Sequence, residues 1–391
     1  MTGSVAISML PSLSLDEEQH VLAVRGQVQA AIGARGGWIS FEEYLRVVLY
    51  APGLGYYSAG SVKLGRQGDF VTAPELSALF GRALARQCGE VLRSIGGDVL
   101  ELGAGSGALA AVLLPSLQAI DALPEHYLIL ETSADLAARQ RERLAQLAPA
   151  LRARVRWLDR LPASPLTGVA LANEVADALP FRRFAVGAGG FIERGVALSA
   201  SGALTLSDRP ADAALVAELE RIVPPGLPPH YESELCPLLD GWIASLAASL
   251  ARGVILLTDY GLPRREYYHP QRAHGTLRCY FRHRAHEDAL LHPGLQDISA
   301  WVDFTRLAEA GTEAGLDVAG FCTQAAFLLA NDIEADVAAA ASVVERARLA
   351  SEARQLLLPG EMGESCKAMA LSRNLDVSLR GFALQDLRRS L

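Results

Sequence analysis

The chain has 391 residues, half of them hydrophobic, and a net charge of −8. That length accommodates one large domain or two smaller ones, each with a sizeable apolar core. The acidic balance argues against a general nucleic-acid or lipid-surface binder, which would carry a basic face. We therefore expect no nucleic-acid partner.

The cysteines and the first residues indicate the compartment. The five cysteines lie far apart and form no CxxC pair, which favours free thiols in a reducing compartment over a disulfide framework or a zinc site. The segment MTGSVAISMLPSLSLDEEQH lacks the pattern of a signal peptide. No window approaches about 18 uninterrupted apolar residues. We predict a cytoplasmic protein without membrane insertion.

Residues 1–95 predict a helical N-terminal region that contains one long loop. Apolar residues between Val21 and Ile32 recur at a helical period. The stretch YAPGLGYYSAGSVKLGRQGDFVTAPELSALFG is rich in glycine and tyrosine and indicates a loop. Helical periodicity returns over residues 75–95.

From residue 98 onward, short apolar runs alternate with helical stretches, which is typical of a parallel sheet covered on both faces. The runs lie at 99–100, 127–130, 155–158, 169–172 and 254–257. We expect a doubly wound α/β domain over 96–391, with insertions near 181–250 and 262–300. The first insertion begins with the alternation of an antiparallel meander, and KAMALSRN near the end predicts a final edge strand.

The segment DVLELGAGSGALA, over 98–110, places a glycine-rich turn directly after the first strand of that domain. Glycine permits positive φ and lets a ligand approach bare backbone. The glycines Gly103, Gly105 and Gly107 also satisfy the dinucleotide pattern GxGxxG/A, which would indicate a nicotinamide oxidoreductase. Against that interpretation, the acid Glu101 has no counterpart in the dinucleotide pattern, and Glu131 lies beyond the usual spacing of about 20 residues for the ribose acid.

The pattern E-x-G-x-G-x-G over 101–107 resembles motif I of class I methyltransferases, whose cofactor is S-adenosylmethionine (SAM). SAM carries an ammonium, a ribose diol and an adenine. We expect Glu101 to face the ammonium and the glycines to leave room for the methionine part. Glu131, after the second run, is placed to accept the ribose hydroxyls. Asp159, after the third run, is placed to accept the adenine amine. A glycine turn that merely packs a helix on a strand is the structural alternative.

Polar residues follow the fourth and fifth runs. Asn173, Glu174 and Asp177 come directly after the fourth run, where they would face the transferred methyl, and paired carboxylates suit a guanidinium. The same residues could instead cap a helix. Asp259 and Tyr260, after the fifth run, either line the acceptor pocket or cap a loop.

Two further features stay without a catalytic assignment. Five histidines lie between 269 and 292, but solvated loop histidines are the better interpretation than a metal site, and methylation of a nitrogen from SAM needs no metal. The alanine-rich segment 333–358 predicts one amphipathic helix that covers the sheet or forms a homodimer surface.

Several long segments carry a broader resemblance: GYYSAGSVKLGRQGDFVTAPELSALFG, LELGAGSGALA, YLILETSADLAARQ, ANEVADALPFRRF, LLTDYG, GTLRCYFRHRAHEDALLHPGLQDISAWVDFT, GFCTQAAFLL and MGESCKAMALS. Together they resemble the MidA-like (DUF185) family of bacterial and mitochondrial SAM-dependent methyltransferases. They run in order over about 44–372, nearly the whole chain. Where the family usually has FGxxGDF, this sequence has LGRQGDF, with Leu64 in place of the aromatic residue.

The resemblance implies a class I Rossmann-like methyltransferase with SAM as cofactor and S-adenosylhomocysteine (SAH) as product. It extends the cofactor site to Gly68, Asp69, Phe70 and Thr72, whose loop would cover the cofactor. It also keeps His283 as an acceptor-site residue.

Mitochondrial members of the family methylate an arginine of a respiratory complex I subunit and assist assembly of that complex. An arginine of a protein substrate is therefore the expected acceptor, with Glu174 as first catalytic residue and Asp177 as second. Two alternatives stay open: a methyltransferase that acts on a different small-molecule or protein acceptor, and a non-catalytic SAM-binding assembly factor.

Overall fold

An eight-stranded, mostly parallel sheet forms the centre of the molecule. The computed structural model describes residues 10–59 and 72–391. The strands of the described residues are β1 Trp38–Ser40, β2 Asp98–Leu102, β3 Tyr127–Leu130, β4 Val155–Leu158, β5 Leu166–Asn173, β6 Arg182–Gly187, β7 Gly190–Leu198, β8 Leu204–Pro210, β9 Glu232–Leu235, β10 Leu250–Leu262, β11 Arg278–Phe281, β12 Arg284–His286, β13 Asp297–Ser299, β14 Val302–Asp303, β15 Asp317–Thr323 and β16 Cys366–Arg373.

The central sheet has the order β15-β16-β10-β5-β2-β3-β4, and β14 pairs with β10 outside this path. Strands β10, β5, β2, β3 and β4 are parallel to one another, so their carboxyl ends share one edge. The five apolar runs of the sequence are all strands of this sheet. Strand β16, predicted as an edge strand, instead lies between β10 and β15 and is antiparallel to both. That prediction was wrong because strand order depends on contacts distant in sequence.

Helices cover both faces of the sheet. The α-helices of the described residues are α1 Leu15–Ala34, α2 Phe41–Tyr50, α3 Ala73–Leu76, α4 Ala78–Ile95, α5 Ala108–Ala119, α6 Ala134–Leu144, α7 Pro149–Arg152, α8 Ala213–Ile222, α9 Leu238–Ala248, α10 Arg264–Tyr267, α11 Phe304–Glu313, α12 Gln324–Ala330, α13 Ile333–Ala338, α14 Val343–Leu357 and α15 Met362–Ser365.

The central strands are buried on both faces, and consecutive side chains enter different cores. In β10, Val254 and Leu256 join the core with α4, α5 and α12, whereas Ile255 and Leu257 join the core with α9 and α11. This division is expected because successive strand residues point to opposite faces. The doubly wound α/β class expected from the sequence is therefore confirmed.

Two smaller sheets come from the insertions and the N-terminal region. One has the order β1-β7-β6-β9, with β8 paired to β7, and contains the predicted meander. Helices α1 and α2 pack with this sheet in a separate core. The other sheet, β12-β11-β13, lies within the second insertion.

The segment 333–358 is not one helix. It divides into α13 and α14, because Ser342 begins a new helix and accepts a hydrogen bond from the Glu345 backbone N at 3.1 Å. Helix α4, which we assigned to the N-terminal region, packs in the core of the central sheet. The division of the chain at residue 95 stays a prediction, as does a homodimer. In the described ranges, no helix has the length and apolar character needed to cross a membrane.

Candidate active site

The turn between β2 and α5 has the backbone that only glycine adopts without strain. Gly103, Gly105 and Gly107 have φ values of 61°, 54° and 81°. Gly107 directly precedes α5. A Cβ atom at Gly103 would lie 3.0 Å from Cγ2 of Val175, in the turn after β5. The three glycines therefore form a tight turn that packs beside the next strand end.

Glu101 lies buried at the end of β2, just ahead of this turn. The hydroxyl of Tyr127, on the neighbouring strand, donates to Oε2 of Glu101 at 2.7 Å. Burial raises the pKa of Glu101 to about 7, although the bond from Tyr127 opposes the shift. A positive charge nearby would favour the ionised form of this carboxylate.

Glu131 follows β3, and both of its carboxylate oxygens accept hydrogen bonds. The backbone N of Ser133 donates to Oε1 at 2.8 Å, and Nε2 of Gln140 donates to Oε2 at 2.9 Å. Burial raises the pKa of Glu131. Gln140 is fully buried in α6 and was missed by the sequence analysis, since a glutamine on a helix face gives no signal of its own.

The other predicted cofactor residues are less enclosed or lie elsewhere. Asp159 follows β4 with a side chain 85% exposed, 3.6 Å from the Arg160 guanidinium. Thr72 is half-buried and directly precedes α3. Gly68, Asp69 and Phe70 lie outside the described residues.

Helix α3 connects the glycine turn with the turn after β5. The backbone N of Ala73 donates to Oε1 of Glu174 at 3.1 Å. Two residues on, Glu75 accepts hydrogen bonds from Ser106, in the glycine turn, and from Arg143 of α6. Glu75 was also missed by the sequence analysis, because its partners are distant in sequence.

The turn after β5 holds Glu174 in an unusual conformation. Glu174 has a φ of 51°, in a backbone region that residues other than glycine rarely occupy. Its backbone N donates to the Thr258 carbonyl at 2.8 Å, and the Asn173 amide donates to its Oε1 at 3.2 Å. Asn173 is itself held by Thr258, whose hydroxyl donates to Oδ1 of Asn173 at 2.7 Å. Strain kept by its surroundings in this way is common at functional sites.

Asp259, near the carboxyl end of β10, accepts hydrogen bonds from the same turn. Its Oδ2 accepts from the backbone N atoms of Val175, Ala176 and Asp177 at 3.2, 2.9 and 3.3 Å. Its Oδ1 accepts from the backbone N of Tyr260 at 2.8 Å. This geometry matches the loop-cap interpretation of Asp259, and Tyr260 beside it is half-buried.

Carboxylates gather where the turn meets the second insertion. Burial, with the charge of Asp177 next in importance, raises the pKa of Glu174 to about 8. Burial and the charges of Asp259 and Asp297 raise the pKa of Asp177 well above its ordinary value. Burial and the charge of Glu174 raise the pKa of Asp259 to about 7. We call Glu174, Asp177, Asp259 and Asp297 the carboxylate cluster.

Asp297 and two tyrosines beside the cluster were not found from the sequence. Asp297 is buried in β13, and the Tyr57 hydroxyl donates to its Oδ1 at 2.5 Å. The Tyr50 hydroxyl donates to the Ala178 carbonyl at 2.6 Å, and the two tyrosine rings lie 5.4 Å apart. The backbone N of Ala300 donates to the Asp177 carbonyl at 3.3 Å.

His283 lies in a hairpin of the second insertion. It occupies the turn between β11 and β12, has a φ of 61° and is exposed. The residue that β11 pairs with Asp297 is Tyr280. The role of His283 in the acceptor site stays a prediction.

Comparisons with known proteins identify the family. Residues 83–322 match the model of a family described as S-adenosyl-L-methionine-dependent methyltransferase. A solved structure of a COG1565 superfamily member from Burkholderia thailandensis, bound to SAH, is 43% identical, covers 98% of this chain and 100% of its own, and has a TM-score of 0.94. This chain belongs to the SAM-dependent methyltransferase family.

Two curated relatives are named as protein arginine methyltransferases. The mitochondrial NDUFAF7 homolog of Drosophila melanogaster is 28% identical over 392 residues, which covers 92% of this chain and 87% of the relative. The mitochondrial NDUFAF7 of Danio rerio is 28% identical over 363 residues, which covers 84% and 82%. The MidA-like resemblance is thereby confirmed.

The methyltransferase uses SAM, which decides between the two interpretations of the glycine turn. The residues present fit that cofactor. The turn carries no side chain at 103, 105 and 107, and of these three positions Gly103 is exposed and Gly105 half-buried. Glu101 and Glu131 supply carboxylates at the two neighbouring strand ends. The nicotinamide interpretation of the same glycines was wrong.

Proposed function

We propose that this methyltransferase transfers a methyl group to a side-chain nitrogen of an arginine in a protein. The observation that carries the proposal is the carboxylate cluster, which lies next to the cofactor turn through the contact of Gly103 with Val175. A guanidinium is the side-chain cation that carboxylates hold by paired hydrogen bonds. The relatives named as protein arginine methyltransferases support the same acceptor.

The proposed roles follow from which oxygens the protein already occupies. Glu174 is oriented by Asn173 and Ala73 and holds the reacting nitrogen, and Asp177 holds a second nitrogen. Asp259 is a positioning residue, since its oxygens accept backbone N–H groups of the turn. SAM supplies an electrophilic methyl group when bound. The carboxylates localise the positive charge of the guanidinium and take the proton that its nitrogen loses.

Two parts of the chain outside the central sheet complete the proposed acceptor pocket. Asp297 adds a third carboxylate for the guanidinium, and Tyr57 fixes the position of that carboxylate. Tyr50, Tyr57 and Tyr260 provide aromatic surface beside it, which suits a planar cation. Asn173, Tyr260 and His283 stay assigned to the catalytic and acceptor sites as predictions.

On the cofactor side, we propose that Glu101 faces the ammonium, that Gly103, Gly105 and Gly107 contact the methionine part and that Glu131 holds the ribose. Asp159 remains the proposed contact to the adenine. Thr72 remains a proposed cofactor contact from the covering loop. By the family resemblance, we propose a respiratory complex I subunit as the protein substrate.

The test uses SAM with a deuterated methyl group and an extract of cells that lack the gene. Mass spectrometry of the digested extract should find the label on arginine with the native protein. The variants Glu174→Gln and Asp177→Asn should lose at least about 99% of the labelling, whereas Glu142→Gln, at an exposed position, should keep it. SAH binding should persist in all variants.

Three results would contradict the proposal in different ways. Label on lysine or on a small molecule would indicate another acceptor. Absence of label despite SAH binding would favour the non-catalytic assembly factor. Full labelling by Glu174→Gln would remove Glu174 from the catalytic role.

A further inference from the structure

Gln140 makes polar contacts with three separate parts of the cofactor side. Its Nε2 donates to the Gly105 carbonyl and to Oε2 of Glu131, each at 2.9 Å. Its Oε1 accepts from Nε1 of Trp157, in β4, also at 2.9 Å. One side chain thus joins the glycine turn, the acid after β3 and the next strand.

The Gln140 amide donates two of these hydrogen bonds through Nε2 and accepts one through Oε1. A carbonyl and a carboxylate only accept hydrogen bonds, and an indole N–H only donates. These partners therefore determine which end of the Gln140 amide is the oxygen and which is the nitrogen. A glutamate at this position would lack the donors, and a leucine would lack all three contacts.

Packing gives Gln140 little freedom. Its side chain is fully buried. A Cβ atom on Gly107 would lie 3.4 Å from the Gln140 Cα and 3.5 Å from its Cγ, so the helix backbone approaches the glycine turn closely. The guanidinium carbon of the neighbouring Arg141 lies 4.7 Å from the centroid of the Trp157 ring.

We propose that Gln140 is the positioning residue of the cofactor site, which holds the glycine turn, Glu131 and β4 in the arrangement that SAM and SAH bind. Its effect acts through Glu131 and Gly105, so it relies on the proposed role of Glu131 with the ribose. Because SAH binds without an acceptor, the identity of the methylated residue does not enter the test.

The experiment is calorimetric titration of the full chain with SAH at pH 6 and pH 8. Gln140→Leu should weaken SAH binding roughly 10- to 100-fold, the loss expected for buried hydrogen bonds to a charged group. Gln140→Glu should lose more affinity at pH 8 than at pH 6, because two ionised carboxylates would then repel each other, whereas at pH 6 one of them can keep a proton and donate it. A residue that only filled space would not produce that pH dependence.

Controls separate the possible failures. Gln146→Leu and Gln146→Glu change an exposed glutamine just after α6 and should bind SAH as the native protein does. Trp157→Phe removes one donor and should weaken binding by a smaller factor, which keeps the test valid if Gln140→Leu does not fold. Glu131→Ala should lose SAH affinity, and native affinity there would overturn the role of Glu131. Native affinity of the folded Gln140 variants at both pH values would overturn the role of Gln140.

Discussion

Gly103 lies in the turn that we propose contacts the cofactor. It combines a φ of 61° with a contact to the turn that carries Glu174. We predict that Gly103→Val abolishes SAH binding, because a β-branched side chain disfavours this φ and would meet Val175. The measurement is SAH titration of the folded variant.

The matched control for that substitution is Gly202→Val. Gly202 has a φ of 78° with nothing within 4 Å of an added Cβ, in the exposed turn between β7 and β8. It should lose stability from backbone strain, on the order of 1–2 kcal/mol, and keep its affinity for SAH. SAH binding by Gly103→Val would show that the turn can shift to admit the side chain.

The charged form of Glu174 is disfavoured in the folded protein. Its pKa is raised to about 8 from the ordinary value of 4.5, chiefly by burial and then by Asp177. Between those two pH values the folded state holds more protons than the unfolded state, so Glu174 lowers stability progressively as pH rises. We predict that the melting temperature of Glu174→Gln minus that of the native protein increases from pH 5 to pH 9.

Thermal melts of both proteins across that range check this expectation. The exposed variant Glu142→Gln reports the effect of losing one negative charge on the surface. If the difference between Glu174→Gln and the native protein is the same at pH 5 and pH 9, the cluster does not destabilise the folded state. For the same reason, affinity for a guanidinium should rise with pH through this window.

At the scale of elements, α3 is short but joins both halves of the site. Glu75 contacts Ser106 in the glycine turn and Arg143 on α6, and Ala73 donates to Glu174. We predict that Glu75→Gln weakens SAH binding about three- to tenfold, as expected for loss of a partly buried charged hydrogen bond. Calorimetry with Glu142→Gln as the control measures this. Unchanged SAH affinity would mean that the glycine turn keeps its position without α3.

The elements that the sequence predicted correctly are those whose signal is local. Each apolar run of the central sheet is contiguous, and the glycine turn contains its own conformational requirement. The place of β16 inside the sheet depends on pairing with β10 and β15, which lie far away in sequence. Likewise, Gln140 and Glu75 are ordinary surface-type residues until the fold gives them buried partners.

At the scale of the whole molecule, the proposed acceptor pocket takes residues from three parts of the chain. Glu174 comes from the central sheet, Tyr57 from the N-terminal region and Asp297 from the second insertion. More than a hundred residues separate Glu174 from each of the other two. No local pattern indicates that they meet, which is why the sequence analysis did not find Tyr57 or Asp297.

This arrangement predicts that substitutions in the insertion affect the acceptor and not the cofactor. Asp297→Asn should raise KM for the protein acceptor about tenfold or more, because one carboxylate of the proposed guanidinium site is lost. Its affinity for SAH should stay native, since Asp297 lies on an element apart from the glycine turn. Tyr57→Phe should have a smaller effect in the same direction, because the carboxylate remains and only its hydrogen bond is removed.

The measurement combines two experiments: steady-state kinetics with the acceptor that methyl labelling identifies, and SAH titration. Asp288→Asn, a half-buried acid in the same insertion, is the matched control and should leave KM for the acceptor unchanged. An increase in KM for SAM instead would place Asp297 on the cofactor side. Native kinetics for Asp297→Asn would mean that only Glu174 and Asp177 hold the guanidinium. The insertion would then contact the acceptor protein around the arginine.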